Sequence, residues 1–474
     1  ISVGDTQVRS RGSVGDLRLL EDVELVLEIH EPDAGFYADL LGVPGALTGS
    51  IDLEAAISPN RPGFRAEASG NLGGFDLALT GHVEQPLDLD GLEMEFHLAG
   101  PDLAVVGEIL KGPGLPAGPF EVDGGLRRSG GTVVIRETAL SAGGAELALD
   151  AEFARFPYPD GGTARVNLRG SDLGRFKRLL GLLPGVNQHP FEATATLTQG
   201  RGGEEHLEAS IDVGANRLAL DGMLGRYPEY AGSRFEVDLR GPEITDLGDL
   251  LGLTPPVTGP YRASGDLTWA GAVLGIERLA VSAGPIEVRG SGSLKNLPDL
   301  RGSSLSLDAA GSDLFAVGQW MGTDRLPHHP YSLSGRLAWR EKGMVADGIK
   351  GRIGEAQIDA SARVGDPRRL ADVELDLKLK GPALDALLAE PLGVELDDSP
   401  FELSGKLRRP DTAIEVSDLG YRSANASVSI DGSLGVLPSF EGMNLVVGMQ
   451  GPSLRATHPE ISGYTAPDLS LIHI

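Results

Sequence analysis

The stretch Val373-Glu-Leu-Asp-Leu-Lys-Leu-Lys-Gly-Pro-Ala-Leu384 contains the two signals that decide the fold. Apolar and charged side chains alternate strictly in its first eight residues, which predicts a β-strand with one apolar and one charged face. The segment Gly381-Pro-Ala-Leu384 that follows is predicted to open a short helix. A strand that leads directly into a helix is therefore the local pattern from which the rest of the chain can be understood.

The helix-opening signal recurs along the chain as Gly-[Pro/Ser]-x-[Leu/Ile] at a nearly constant period. It starts at Gly100, Gly170, Gly241, Gly311, Gly381 and Gly451, with spacings of 70, 71, 70, 70 and 70 residues. A proline followed by an aromatic residue keeps the same period, at Pro119-Phe120, Pro190-Phe191, Pro260-Tyr261, Pro330-Tyr331 and Pro400-Phe401. A lone proline does so as well, at Pro86, Pro157, Pro228, Pro298, Pro367 and Pro438. Three marks with one period predict a repeat protein.

This period divides the chain into six complete repeats and two partial ones. The predicted repeats are residues 31–99, 100–169, 170–240, 241–310, 311–380 and 381–450, preceded by the end of a truncated repeat at 1–30 and followed by the start of another at 451–468. Residues 469–474 match the translation of a sequencing adapter, and we exclude them from the fold prediction. We therefore expect the chain to be an internal fragment of a longer protein.

Each repeat is predicted to contain one short helix followed by four strands. In the repeat that begins at Gly241, the residues Ile244, Leu247, Leu250 and Leu251 fall on one helical face. In the repeat that begins at Gly170, Leu173, Phe176, Leu179 and Leu180 do the same, and Gly181 supplies the residue after the helix. The remaining residues alternate with period two between glycine- and aspartate-rich turns, as half-buried antiparallel strands do.

One helix of about ten residues is too short to cover the apolar face of four strands. The sheet must therefore either fold over on itself as a sandwich or barrel, or curl into an open trough whose apolar lining faces a ligand. The fold class that we predict is mainly β with short helices. We expect an elongated repeat solenoid in which a long twisted antiparallel sheet is folded lengthwise into an apolar groove.

Composition excludes several classes of function. The chain has 68 acidic and 41 basic side chains, a net charge of −27, which argues against nucleic acid as a partner. It has no cysteine, which excludes disulfide frameworks, thiol catalysis and cysteine-ligated metal sites. Its hydrophobic fraction of 41% is too high for a disordered acidic chain. No run approaches the ~20 apolar residues that a membrane span needs.

Candidate sites of chemistry are weak in this sequence. His328-His329 with Asp324 could suggest a metal site, but these residues precede Pro330 in a connection for which a solvated loop is favoured. Asp88-Leu-Asp90-Gly91 resembles a calcium loop but has His97 where the closing glutamate belongs. Nucleophile elbows, zinc-protease motifs and phosphate-binding loops are absent from the sequence. We predict no catalytic residue, no metal site and no cofactor, and no enzymatic activity.

The repeat resembles those of the AsmA-like family of bacterial intermembrane repeat proteins, of the TamB and YhdP type. The closest matches are Pro400-Phe-Glu-Leu-Ser-Gly-Lys-Leu407, and Gly170-Ser-Asp-Leu173 followed by Leu179-Leu-Gly181. The resemblance extends to about residue 460. The motif is structural and carries no chemistry, so it indicates architecture more strongly than activity.

The resemblance implies a monomeric periplasmic bridge in a Gram-negative bacterium, anchored in the inner membrane by an N-terminal helix that this chain lacks. Such a protein would shield phospholipid acyl chains in its groove between the inner and outer membranes and contribute to outer-membrane assembly, with assembly proteins of either membrane as further partners. The residues expected to line the groove are Leu147, Leu149, Phe153, Phe235, Val237, Leu239, Val373, Leu375, Leu377, Leu379, Phe401 and Leu403. Two alternatives remain open: a chaperone-like guide for outer-membrane proteins, and a structural stalk or adhesin with a closed core.

Overall fold

The computed structural model describes most of the chain. The described residues are 2–3, 6–16, 21–35, 47, 49–85, 88–109, 115–154, 162–176, 189–199, 204–225, 230–251, 257–296, 299–320, 326–366, 371–384, 387, 399–410, 413–424, 426–436, 442–451 and 471–473. Within these ranges, every helix is too short or too polar to cross a membrane. The lone prolines, Leu179-Leu-Gly181 and Asp324 lie outside the described residues.

The described part of the chain is dominated by strands. In the first half they are β1 (Ser2–Val3), β2 (Thr6–Asp16), β3 (Glu21–Glu31), β4 (Ile51–Pro59), β5 (Phe64–Leu72), β6 (Phe75–Val83), β7 (Leu92–Gly100), β8 (Phe120–Ser129), β9 (Thr132–Ala142), β10 (Ala145–Phe153), β11 (Gly162–Gly170), β12 (Phe191–Gln199), β13 (Glu205–Val213), β14 (Asn216–Leu224) and β15 (Ser233–Gly241). In the second half they are β16 (Tyr261–Ala270), β17 (Val273–Ala283), β18 (Ile286–Lys295), β19 (Ser304–Gly311), β20 (Tyr331–Arg340), β21 (Gly343–Ile353), β22 (Ala356–Asp366), β23 (Ala371–Gly381), β24 (Phe401–Arg409), β25 (Ala413–Ser423), β26 (Ser427–Val436), β27 (Asn444–Gln450) and β28 (Leu471–His473).

Short helices separate groups of four strands between β4 and β23. The described ones are α1 (Leu103–Ile109), a 3-10 helix (Leu173–Phe176), α2 (Ile244–Leu251) and α3 (Leu314–Trp320). The 3-10 helix stands where an α-helical face was predicted, and Gly174 in its first turn weakens the α-helical preference there. One helical segment and four strands therefore alternate from β4 to β23.

The chain divides into two compact units. Unit 1 comprises residues 1–239 and 246–253, and unit 2 comprises residues 240–245 and 254–474. In unit 1, strands β1 to β14 pair antiparallel, each with the next in sequence. In unit 2, strands β16 to β28 do the same. The prediction of a mainly β chain whose antiparallel sheet stays open is confirmed.

We call the segment between the last strand of one repeat and the first strand of the next a helical connection. A backbone hydrogen bond closes the base of five of these connections. In unit 1 the bonds are Ala34 N–H to Gly49 O (2.7 Å), Leu103 N–H to Gly118 O (2.8 Å) and Leu173 N–H to His189 O (3.0 Å). In unit 2 they are Ile244 N–H to Gly259 O (2.9 Å) and Leu314 N–H to His329 O (2.8 Å). Each connection therefore leaves the sheet and returns to it at nearly the same point.

The aromatic residue after the proline mark fills the space beneath each helical connection. Phe120, Phe191, Tyr261, Tyr331 and Phe401 are each 6% exposed or less. The rings of Phe120, Phe191, Tyr331 and Phe401 lie against the glycine that ends the preceding strand. A methyl group on Gly100 would stand 2.8 Å from Phe120 Cε1, and one on Gly381 would stand 2.9 Å from Phe401 Cε1. The glycine and the aromatic residue recur together because the ring fills the space that a side chain on the glycine would need.

A bulge recurs in the second strand of several repeats, and in two of these bulges a backbone N–H donates a hydrogen bond to an aspartate on the next strand. Glu137 and Asp418 adopt positive φ angles of 50° and 55° where the pairing to the preceding strand shifts. The N–H of Glu137 donates to Asp150 Oδ1 at 2.9 Å, and that of Asp418 donates to Asp431 Oδ1 at 2.8 Å. A carboxylate on the next strand thus satisfies the backbone donor that each bulge frees.

Candidate functional site

One face of each sheet, which we call the apolar face, carries the residues expected to line a groove. In unit 1, Leu147 and Leu149 of β10 stand opposite Leu168 and Val166 of β11, so that apolar side chains run across neighbouring strands. In unit 2, Leu377 of β23 lies between Ala360 of β22 and Gly405 of β24. The pairing register therefore joins the predicted positions of each strand into rows that cross several strands.

Most of these predicted residues are half-buried. This holds for Leu147, Leu149, Phe153, Phe235, Val237, Leu239, Val373, Leu375, Leu377 and Leu403. Residues between them in sequence, such as Glu146, Glu236 and Asp376, are exposed. The predicted alternation is present, but its apolar side is less completely covered than the core of a closed sandwich would be.

Two predicted groove residues are core residues. Leu379 is 8% exposed and Phe401 is 2% exposed, and both belong to a cluster with Ala356, Leu384 and Leu387. In unit 1 a corresponding cluster contains Leu103 of α1, Phe120 and Ala142. These clusters lie where a helical connection meets the strand ends.

Coverage of the apolar face decreases along the first strand of a repeat, away from the helical connection. In β8, Phe120 is buried whereas Val122 and Leu126 are half-buried. In β12 the same holds for Phe191, and for Ala193 and Leu197 farther along. The helical connections cover the strand end that carries the aromatic residue. Farther along, most apolar positions are half-buried, and single residues such as Val133 (4% exposed) and Val416 (2% exposed) are buried as well.

The opposite side of the sheet, which we call the charged face, is organised by ion pairs across neighbouring strands. Examples are Glu93–Arg127, Glu146–Arg169, Arg363–Glu374 and Lys380–Glu402. Their side chains are well exposed, so each pair contributes little to stability. They keep the outer side of the sheet hydrated, which opposes association of strands between molecules.

Several of these contacts shift pKa values. The hydrogen bond from Arg127 lowers the pKa of Glu93, and the one from Lys380 lowers that of Glu402. Hydrogen bonds from Ser50 and His30 lower the pKa of Asp52. A hydrogen bond with Asp123 raises the pKa of His97, and burial raises that of Tyr331. The shifted groups on the charged face are all exposed members of cross-strand pairs.

The structure gives two histidines hydrogen-bond partners that the spacing of residues in the sequence did not predict. His328 and His329 belong to the returning segment of a helical connection. His328 Nδ1 lies 2.9 Å from Asp313 Oδ2, and its ring stacks on Phe315 at a centroid distance of 4.1 Å. On the charged face, His97 Nδ1 lies 2.7 Å from Asp123 Oδ1. The two partners belong to different strands, so only their pairing register brings them together.

No family model matches the chain, and no curated protein does.

Proposed function

We propose that this protein shields the acyl chains of phospholipids on its apolar face and so conducts lipid between the inner and outer membranes of a Gram-negative cell. The observation that carries the proposal is the half-buried state of most predicted groove residues on the apolar face, such as Leu147, Leu149, Leu375 and Leu377. The repeat's resemblance to AsmA-like proteins supports the same activity and its periplasmic location.

Acyl chains need apolar cover throughout their passage through water. Each CH₂ group removed from water gains about 0.8 kcal/mol, so a two-chain lipid is held by its tails wherever a row of apolar side chains is accessible. Rows such as Leu147 with Leu168 and Leu149 with Val166 offer similar surfaces at successive strands. Similar neighbouring sites imply small barriers between them, and the driving force for movement must come from other components.

The half-buried leucines also bear on the alternatives. A stalk with a closed core would bury Leu147, Leu149, Leu375 and Leu377 as completely as Phe401, which is 2% exposed. A guide for outer-membrane proteins would pair its clients through an exposed strand edge. The described strands from β2 to β13, and from β17 to β26, have neighbours on both sides, which leaves their backbone groups occupied.

Site-specific photo-crosslinking tests the proposal. A photoreactive phenylalanine analogue replaces Leu149 in unit 1 or Leu377 in unit 2, and the full chain is irradiated in the periplasm of a Gram-negative host. Mass spectrometry then identifies the adduct. We expect phospholipid adducts at both positions, because both side chains lie on the half-buried apolar face.

Neighbouring positions on the charged face are matched controls. Ala148 and Asp376 each adjoin a test residue in sequence and are exposed on the other side of the same strand. Phospholipid adducts at Leu149 and Leu377 but not at these controls support the proposal. Equal labelling on both faces, no lipid adduct at all, or adducts with unfolded outer-membrane proteins instead of lipid would contradict it.

A further inference from the structure

The charged face of unit 1 brings one imidazole and two carboxylates together on β7 and β8. His97 stands directly opposite Asp123 in the antiparallel pairing, and Glu121 lies two residues from Asp123 on the same face. One ligand atom from each of the three side chains lies within 4.8 Å of the other two. These are oxygen and nitrogen donors of the kind that bind zinc in proteins.

We propose that His97, Glu121 and Asp123 form a binding site for a divalent transition-metal ion of the zinc class. Tetrahedral zinc with ligand bonds near 2.1 Å holds its ligand atoms about 3.4 Å apart. The ligand atoms of the three side chains lie within 4.8 Å of one another, at most about 1.4 Å more than this spacing, and His97 Nδ1 and Asp123 Oδ1 are closer, at 2.7 Å. Small side-chain rotations suffice, because the side chain of Asp123 is 57% exposed and that of His97 36% exposed.

Small neighbours leave room above the three ligands. Ala78 and Asp123 flank His97 on either side across the sheet, Ala99 stands opposite Glu121, and Ala139 stands opposite Asp123. Ala78, Glu95, His97 and Asp123 line part of a concave region with a volume of about 540 Å³, and Glu121, Ala99 and Ala139 lie beside it. A hydrated ion can therefore approach and keep water at its remaining position.

Local charge favours a cation at this place. Asp76 and Glu121 both act on His97 electrostatically, in addition to Asp123. The ion pair Glu93–Arg127 occupies the same strands farther along, where Arg127 is held by its own carboxylate. Among the described residues, Glu121 makes no ion pair. A metal ion would give Glu121 and Asp123 a shared positive partner.

Other cross-strand histidine pairs lack the third ligand. His30 pairs with Asp52, whose second oxygen accepts a hydrogen bond from Ser50 Oγ at 2.7 Å. His206 pairs with Asp221 at 3.4 Å. Within the described part of the chain, only the set His97, Glu121 and Asp123 places three metal-binding side chains together. Glu121 therefore distinguishes a site from an ordinary histidine–aspartate pair.

Zinc titration of the full chain tests the site. The protein is first treated with chelator and then titrated with Zn²⁺ by calorimetry in physiological salt and excess Mg²⁺, which competes for weak sites on a surface with net charge −27. We expect one Zn²⁺ per chain above the background. We also expect His97→Gln, Glu121→Gln and Asp123→Asn each to weaken that binding at least about tenfold.

His30→Gln is the matched control, because it removes a cross-strand histidine but leaves the three ligands intact. It is expected to bind Zn²⁺ as the unchanged protein does, and Zn²⁺ is expected to shift the His97 ring resonances in NMR spectra before those of His30. Binding that survives His97→Gln or falls equally in His30→Gln would assign the Zn²⁺ to the acidic surface in general and overturn the proposal. So would the absence of saturable binding in a chain whose circular dichroism shows it to be folded.

Discussion

Two regions of the charged face occupy the same place in the repeat and carry opposite charge. The region around His97 lies on β7 and β8 in unit 1, and the region around Lys378 lies on β23 and β24 in unit 2. Their helix-opening marks, Gly100 and Gly381, are separated by 281 residues, as are His97 and Lys378. The pairing registers correspond as well, since His97 stands opposite Asp123 and Lys378 stands opposite Ser404.

The two regions differ in the predominant sign of their charged side chains. Around His97 the charged face carries Asp76, Glu95, Glu121 and Asp123. Around Lys378 the neighbouring strands carry five basic residues and two acidic ones, namely Lys350, Arg352, Lys378, Lys380, Arg422, Asp359 and Glu402. The apolar side of both regions nevertheless has the same buried aromatic residue, at Phe120 and at Phe401. Packing of side chains on the apolar side stabilises the same backbone arrangement in both regions, so the side chains on the charged side can differ from one repeat to the next.

The largest expected effect is on stability, and it tests the buried aromatic residue that the two regions share. Phe120→Ala and Phe401→Ala should each lower the free energy of unfolding by about 3–5 kcal/mol, because each removes a buried ring beneath a helical connection. Denaturant unfolding measures the change. Leu403→Ala, at a half-buried position of the same strand as Phe401, should cost clearly less. A cost that is large at one aromatic position and negligible at the other would show that the two regions do not share a core.

A smaller effect is expected at the glycines that face these rings. Gly100→Ala would place a methyl group 2.5 Å from Phe75 Cδ1, and Gly381→Ala would place one 3.0 Å from the Ala356 Cβ. Each should destabilise its region by about 1–3 kcal/mol. Gly125→Ala and Gly420→Ala are controls, because their new methyl groups would meet nothing closer than 3.6 Å and 4.0 Å. Thermal unfolding that ranks the controls with the test variants would contradict the assigned role of the rings.

The bulges provide a third test, with an effect of about 1 kcal/mol. Asp150→Ala removes the acceptor of the Glu137 N–H, and Asp431→Ala removes that of the Asp418 N–H. Hydrogen exchange at these two amides should accelerate in the alanine variants. Asp150→Asn keeps an acceptor oxygen and should restore most of the protection. Unchanged exchange in both alanine variants would mean that solvent already satisfies the bulge donors.

The smallest effects concern pH, and they have opposite signs in the two regions. The hydrogen bond with Asp123 raises the pKa of His97, so this pair stabilises metal-free protein below the unfolded histidine pKa of about 6.5 and loses its contribution as pH rises through the folded value. The hydrogen bond from Lys380 lowers the pKa of Glu402, so that pair stabilises above the unfolded glutamate pKa of about 4.3 and loses its contribution as pH falls through the folded value.

NMR titration in chelator measures both pKa values. Asp123→Asn should lower the pKa of His97 toward its ordinary value, and Lys380→Gln should raise that of Glu402. Asp76 and Glu121 remain in the first variant and should keep part of the His97 shift. A His97 pKa that Asp123→Asn leaves unchanged would assign the shift to the surrounding acidic field instead of the pair.

Much of the fold could be predicted from the repeat. The strict alternation from Val373 to Lys380 predicted a strand with two unlike faces, and the structure places it in β23. Leu379 and Phe401 show what alternation could not predict. Alternation assigns both residues to the apolar face, but it does not reveal that a helical connection covers their end of that face and buries them. The grouping of His97 with Glu121 and Asp123 could not be predicted either. His97 lies on β7 and the two carboxylates lie on β8, and neither strand's sequence specifies the pairing register between them.

The sequence by itself determined the period, the strand-and-helix order and, outside the bulges, the side of the sheet on which strand residues lie, because period-two alternation and recurring glycine and aromatic marks are local properties of the chain. Only the tertiary structure decided which glycine meets which ring, how far the apolar face is covered, and which charges become neighbours. These are distances between strands, and they depend on pairing register and on the return of each helical connection to the point where it left the sheet.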